Sequence, residues 1–189
     1  MQITKEQDIA AGEIVDLIAD KIGTNRLIHP GTAISTGARL AGSFMFRSFN
    51  FNLKDIKPGT VCLSEQANEK GPMLIGVLGT TLSNFGLQLN KEAMSTTAKA
   101  DSNLSFAESM NIVQEAAHEI MKRNKLNLEQ MAYACAMATA FVIKESKTDL
   151  SIESGFHTAV YSFIEGSKTC PPVLGGEAPV KKGFFGFWK

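Results

Sequence analysis

Apolar side chains recur along much of this chain at intervals of three and four residues, which places them on one face of an α-helix. The first such segment follows Thr4, which forms a capping box with Gln7, and Gly23 is expected to end it in a left-handed conformation. Five further helices are predicted: residues 33–50, Ser64 to about residue 85, Ser105 past Ile120, Asn127 to about Glu145, and Asp149 to Gly166.

The third predicted helix contains a helix-breaking pair of residues. Gly71 and Pro72 should kink or split it, because proline lacks a backbone donor and clashes with the preceding turn. Residues 73–82 are short and partly β-branched, so a strand is the alternative. Helix is preferred because Leu74, Leu78 and Leu82 keep the helical spacing.

Two helices are rich in small residues. In the second, Gly37, Ala38, Ala41 and Gly42 recur at a spacing of four, which favours a close contact with another helix. The fifth is apolar nearly all round, so it is expected inside the domain or at a subunit contact. The connections are predicted to be a turn at residues 29–32, a very short extended piece at 61–63 and a linker at 91–103.

These patterns predict a mainly α fold, a bundle-like single domain of five to six helices over residues 1–169. Residues 170–189 are predicted to form an extended tail, because proline and glycine are frequent there. Composition agrees with a globular protein, with 44% hydrophobic and 20% charged residues.

The net charge of zero argues against a nucleic-acid partner, which would require a basic surface. Neutrality is nevertheless an average over unequal blocks. Residues 1–20 sum to −4, residues 21–54 to +5, residues 65–165 to −4 and residues 166–189 to +3.

The three cysteines, Cys62, Cys135 and Cys170, are odd in number and widely spaced, so neither a disulfide framework nor a zinc site is expected. Together with an N-terminus that lacks a signal-peptide pattern, this predicts a cytoplasmic protein. Residues 71–90 and 131–143 are uncharged, but the first is rich in glycine and polar residues and the second is too short to span a bilayer.

The tail carries the first functional hypothesis. Phe184, Phe185, Phe187 and Trp188 crowd into five positions, and the flanking lysines are Lys181, Lys182 and Lys189. Aromatics beside lysines suit a hydrophobic groove on a protein or a membrane interface. The segment has three candidate binding partners: its own domain or a sister subunit, a separate protein, and lipid. Membrane attachment by one short tail would be weak.

The second hypothesis is an anion site. Arg39, Ser43 and Arg47 lie four residues apart on one stripe of the second helix, within an acid-free block that extends from residue 21 to residue 54. Arginine suits carboxylate and phosphate, so the three residues are candidate ligand contacts. The alternative is that these arginines pair with acids on neighbouring helices.

The third hypothesis is a metal site, and the sequence favours its absence. Glu115 and His118 form one ExxH pair, and Glu153 and His157 lie four residues apart. A di-iron bundle needs two such ExxH pairs, and a solvated helix face explains these residues without metal. No GxSxG elbow occurs either, so neither a metal, a cofactor nor a catalytic residue is predicted.

The leading interpretation is therefore a non-enzymatic helical module that forms a homo-oligomer and binds a protein partner through its aromatic tail. The alternative is a protein or enzyme that binds a small anionic ligand through Arg39 and Arg47. A further alternative is peripheral membrane attachment by the tail.

Overall fold

A computed structural model of the protein describes residues 3–23, 28–53 and 56–175. Within these residues the chain folds into one compact domain of seven helices and no strand, which confirms the mainly α class. The helices are α1 (Lys5–Ile22), α2 (Pro30–Ser48), α3 (Glu65–Asn84), α4 (Lys91–Thr96), α5 (Phe106–Arg123), α6 (Leu128–Glu145) and α7 (Ile152–Lys168).

Four helices begin where their capping residues predicted. Thr4, Ser64, Ser105 and Asn127 each accept a hydrogen bond from the backbone amide three residues later, at 3.3, 3.1, 3.3 and 2.8 Å. The first amides of a helix have no partner within the helix, so these side chains fix where the chain turns helical.

Two helix starts differ from the prediction. Helix α2 begins at Pro30 rather than at residue 33, because proline suits the first helical position and Nδ1 of His29 caps the helix by accepting from the amide of Thr32. Helix α7 is capped by Ser151 rather than by Asp149, with the amide of Ser154 donating to its hydroxyl at 3.2 Å.

Two predicted helix ends also differ. Gly23 does follow the last residue of α1, but its backbone is extended (φ −79°, ψ 149°) rather than left-handed. Gly166 does not close α7, which continues to Lys168. The absence of a side chain at Gly166 instead lets α7 pack closely on α2, because an added Cβ would collide with the carbonyl of Arg39.

Residues 73–82 are helical, which confirms the preferred interpretation over the strand. Pro72 lies inside α3 without ending it, and the apolar stripe is buried: Leu74, Val77, Leu78 and Leu82. The predicted linker contains one additional short helix, α4, which is capped by Asn90 and has no buried residue.

Helix α2 forms the centre of the domain and packs most extensively against α6 and α7. All its residues from Gly31 to Phe46 are buried. The small-residue face predicted for this helix permits the contact, since a Cβ on Gly42 would lie 2.6 Å from the carbonyl oxygen of Phe163. On the α6 side, a Cβ on Gly37 would lie 2.8 Å from Oγ1 of Thr139.

Helix α6 is buried inside the domain, as its composition predicted. Burial raises the pKa of the Cys135 thiol, which is therefore an inert core residue. Within the described segments no helix alone is long and apolar enough to cross a membrane, whereas α5 and α6 together meet those criteria but are bent by 115° at their junction.

The predicted short extended piece pairs with the residues that follow α7. Val61 and Thr169 form an isolated antiparallel bridge, flanked by a hydrogen bond from the amide of Cys62 to the carbonyl of Lys168 at 2.7 Å. Cys170 is buried directly after this bridge. The start of the predicted tail is therefore packed on the helical domain, and residues 176–189 lie outside the described residues.

Candidate functional site

An apolar groove with a volume of about 400 Å³ lies between α1, α3 and α6. Val15, Phe85, Met137 and Phe141 form its large apolar walls. Its remaining lining residues are Asp8, Ala11, Gly12, Asp16, Thr81 and Ala138.

Two aromatic rings form one wall of this groove. Phe85 and Phe141 pack edge to face with their centroids 6.2 Å apart, and Phe85 keeps 38% of its surface exposed. Nζ of Lys144 lies 5.0 Å from the Phe85 centroid and 5.2 Å from the Phe141 centroid. The ammonium group of Lys144 therefore lies over both rings, whose faces carry negative electrostatic potential.

The α1 side of the groove is acidic. Asp8 and Asp16 are exposed and belong to its lining. The same helix carries three further acids, Glu6, Glu13 and Asp20, and only Lys5 and Lys21 as bases. The groove therefore offers apolar surface beside negative charge.

The predicted partner-binding residues Phe184, Phe185, Phe187 and Trp188 lie outside the described residues. The described chain ends at Gly175, whose amide donates to Oε1 of Glu115 on α5 at 2.5 Å. No α5 residue belongs to the groove lining.

Arg39 is buried and joins four parts of the fold. Its Nε donates to Oε2 of Glu165 on α7 at 2.6 Å. Its Nη1 donates to the carbonyl of Leu104 at 2.6 Å and to the hydroxyls of Ser109 and Ser102 at 3.1 and 3.4 Å. The acid partner on a neighbouring helix matches the alternative interpretation of this residue.

Arg39 also lines a second concave surface, a polar pocket of about 270 Å³ between α2, α7 and the segment before α5. The polar pocket is lined by Ser35, Arg39, Lys99, Ala100, Ser102, Thr158, Tyr161, Ser162 and Glu165. It therefore combines two cations, one carboxylate and several hydroxyl groups.

The other two predicted anion contacts do not line this pocket. Nη2 of Arg47 donates to Oε1 of Gln114 at 3.0 Å and to the carbonyl of Pro172 at 2.7 Å, so it fastens the chain after α7 to α5. Burial lowers the pKa of the Arg47 guanidinium. Ser43 is buried on the same helix.

Three of the four residues in the carboxylate–histidine pairs have structural contacts. Glu115 binds the amide of Gly175, and Glu153 binds the amide of Asn90 at 3.0 Å. Nδ1 of His157 lies 2.8 Å from the carbonyl of Thr97. Among the described residues, no group of three His, Cys, Asp or Glu side chains is placed to hold a metal ion.

Sequence reasoning found Arg39 but missed its neighbours in the pocket. Lys99 falls in the predicted linker, and Tyr161, Ser162 and Glu165 lie on α7, where the sequence analysis predicted no ligand contact. The polar spacing along α7 was the available signal. It does not reveal which segment lies opposite.

No protein-family model, curated protein or solved structure matches this chain. The fold and its surfaces define the class only: a mainly helical protein with an apolar groove bordered by acids and a separate polar pocket.

Proposed function

We propose that this protein is a non-enzymatic interaction module that self-associates, with the aromatic tail of one copy docked in the apolar groove of a second copy. The observation that carries the proposal is the groove itself, which combines apolar walls with an acidic border. The tail offers the complement, four large aromatics flanked by three lysines. Aromatic anchors in such pockets dominate protein interfaces.

Charge complementarity supports the pairing. Lys181, Lys182 and Lys189 flank the tail aromatics, while Asp8 and Asp16 border the groove. Complementary charges of this kind select the partner and its orientation more than they add affinity.

A second copy is the proposed occupant because the lysines and aromatics of the tail complement the groove. Docking in the groove of the same chain is the competing outcome, in which the wild type stays monomeric. Burying one aromatic side chain yields about 1.5–3 kcal/mol. Association costs about 4–15 kcal/mol, so one docked tail would hold two copies weakly. A reciprocal exchange, in which each copy supplies a tail and a groove, doubles the contact and closes as a two-fold dimer.

Gly12 permits a sharp test. It lies in α1 within the groove, and a Cβ added there meets nothing within 4 Å. Gly12→Leu should therefore fill the groove without disturbing the domain, and it removes a residue that weakens helices. The matched control is Gly76→Leu, since Gly76 is equally open, lies on α3 and is absent from the groove lining.

The measurement is sedimentation velocity over a range of protein concentrations. The wild type and Gly76→Leu should form the same dimer. Gly12→Leu, and a chain that ends at Val180, should each raise the dissociation constant at least tenfold. Equal assembly of all four proteins would contradict the proposal. A wild type that stays monomeric at every concentration would also contradict it.

A vesicle experiment separates this proposal from membrane attachment. Tail-dependent binding to anionic liposomes by a chain that does not assemble would replace the dimer with the membrane interpretation. We further propose a cytoplasmic location, which is supported by the free thiols of Cys62, Cys135 and Cys170.

A further inference from the structure

We infer that the polar pocket around Arg39 is a binding site for a small hydroxylated anion, in chemical class a sugar acid or a sugar phosphate. This inference is independent of the proposed self-association, because the pocket and the groove share no lining residue. The two ligand sources have the same chemistry, an anionic group attached to a carbon chain that bears hydroxyls.

Hydrogen bonds to α7 hold residues 97–100, which form one wall of the pocket, in place. Ser154 donates to the carbonyl of Ala98 at 2.8 Å, and the amide of Ala100 donates to Thr158 at 2.8 Å. Nδ1 of His157 lies 2.8 Å from the carbonyl of Thr97. These contacts tie residues 97–100 to α7, so Lys99 is held at the edge of the pocket.

The positive charge in the pocket is only partly used. Among the described residues, Arg39 bonds through Nε and Nη1, which leaves Nη2 available. The ion pairs of the described chain do not include Lys99. Arg39, Lys99 and Glu165 together give the pocket one excess positive charge, which suits a ligand with one anionic group.

Ser35 and Ser162 add two hydroxyls to the pocket, and neither of these oxygens is sealed from water. Ser35 is 3% exposed and Ser162 is 4% exposed, and both line the pocket. These two hydroxyls are therefore placed to bond with a polar molecule inside the pocket.

The remaining polar atoms determine the rest of the ligand. Glu165 uses Oε2 for Arg39, so its second oxygen can accept from a ligand hydroxyl. Tyr161 adds an exposed hydroxyl at the entrance. A volume of about 270 Å³ equals roughly nine waters at ~30 Å³ each, which fits a short hydroxylated chain rather than a nucleotide.

The test is isothermal titration calorimetry of the full chain with three named probes: glycerol 3-phosphate, D-glycerate and D-gluconate. Glycerol and inorganic phosphate serve as the two halves of the first probe. We expect at least one hydroxylated anion to bind with millimolar affinity or better. We expect glycerol to show no binding and inorganic phosphate to bind at least tenfold more weakly.

Two variants locate the site without removing the Arg39 anchor. Lys99→Gln removes the unpaired charge and Ser162→Ala removes one pocket hydroxyl, and together they should weaken binding at least tenfold. The matched control is Lys91→Gln, because Lys91 is exposed on α4 and lies outside the pocket. Circular dichroism should show that all variants fold like the wild type.

Three results would overturn the inference: no binding of any probe at millimolar concentration, equal binding of inorganic phosphate alone, or binding that the double variant leaves unchanged. Failure here is distinguishable from failure of self-association. Lys99→Gln should leave the dimer intact, and Gly12→Leu should leave probe binding intact.

Discussion

Gly42 and Gly166 let the backbones of α2 and α7 touch at the centre of the molecule. A Cβ on Gly42 would lie 2.6 Å from the amide nitrogen of Ser167 as well as from the Phe163 carbonyl. Both atoms belong to a helix backbone, which cannot yield as a flexible side chain can. This is why glycine is tolerated inside α2 despite its cost of about 1 kcal/mol in a helix.

Gly42→Ala should therefore lower the free energy of unfolding by about 1–3 kcal/mol, the usual cost of overpacking a core. Urea denaturation followed by circular dichroism measures it. Gly76→Ala is the control, because its Cβ meets nothing and the change should stabilise the protein by about 0.4–1 kcal/mol. The same sign for both substitutions would show that the α2–α7 contact is looser than described.

The surroundings of His118 determine the pKa of its imidazole. Its Nδ1 is buried without a hydrogen-bond partner in the described chain. Burial lowers the pKa of its imidazole, and the nearby charges of Lys122 and Arg47 lower it further. The folded protein therefore favours the neutral ring, whereas the unfolded chain protonates near pH 6.5.

The pKa of His118 is lower in the folded state, so its contribution to stability is complete above about pH 6.5 and is lost as the pH falls through the folded pKa. His118→Gln should weaken the loss of unfolding free energy between about pH 7.5 and pH 5. Both proteins share every other titratable group, so the difference between wild type and variant is the quantity to measure. Identical pH profiles would contradict this role.

Arg39 acts at the scale of elements, because one side chain ties α2 to α7, to α5 and to the carbonyl of Leu104. Arg39→Met should lower the free energy of unfolding by about 1.5–3 kcal/mol, since Glu165 loses its charged partner and the Leu104 carbonyl keeps only the Ser102 hydroxyl as a donor. The loss is moderate because the Glu165 side chain is 40% exposed and keeps access to water.

Lys70→Met provides the comparison in the same urea denaturation experiment. Lys70 pairs with Glu129 across α3 and α6, but both side chains are about one-third exposed. Such a surface pair contributes about 0–1 kcal/mol. An equal loss in both variants would show that Arg39 is not the junction that its contacts indicate.

Helix starts could be predicted because their signal is local. The side chains of four capping residues accept from the amide three residues later: Thr4, Ser64, Ser105 and Asn127. A pattern this short can be recognised in a single sequence. Asp149 was wrong as a cap, since Ser151 two residues later offers an equivalent oxygen and the sequence does not rank the two.

The concave surfaces could not be predicted, because their walls come from distant parts of the chain. Val15, Phe85 and Phe141 meet only once α1, α3 and α6 have packed. Lys99 reaches the neighbourhood of Arg39 only because α7 holds residues 97–100 through hydrogen bonds. The periodicity of one helix shows which of its faces is polar but not which segment lies opposite.

At the scale of the whole molecule, the net charge of zero is a sum over basic and acidic regions, and these regions have different partners. The acid-free block includes Arg39 and Arg47, which both bond to other parts of the described domain. The acidic α1 has few such partners, apart from Glu13 beside Arg123 and Asn124. Two of its other acids, Asp8 and Asp16, line the groove, so charge and shape favour the same docking surface.

Packing predicts an uneven distribution of local stability across the molecule. Helix α2 is buried from Gly31 to Phe46 and contacts α1, α3, α5, α6 and α7. Helix α4 has six residues, none of them buried, and contacts only α7 to any extent. An amide exchanges with solvent through the opening of lowest free energy that exposes it. An amide in a helix with many buried contacts therefore needs a larger unfolding event.

Native-state hydrogen exchange should therefore show α2 amides that exchange only through global unfolding, with free energies that fall with urea as the whole protein does. The α4 amides should exchange through a local opening that urea hardly affects. The amide of Ala100 should be intermediate, because Thr158 holds it at the end of the same segment. Exchange from α4 as slow as from α2 would mean that residues 91–103 belong to the cooperative core, and the pocket wall at Lys99 would then be fixed by more than its bonds to α7.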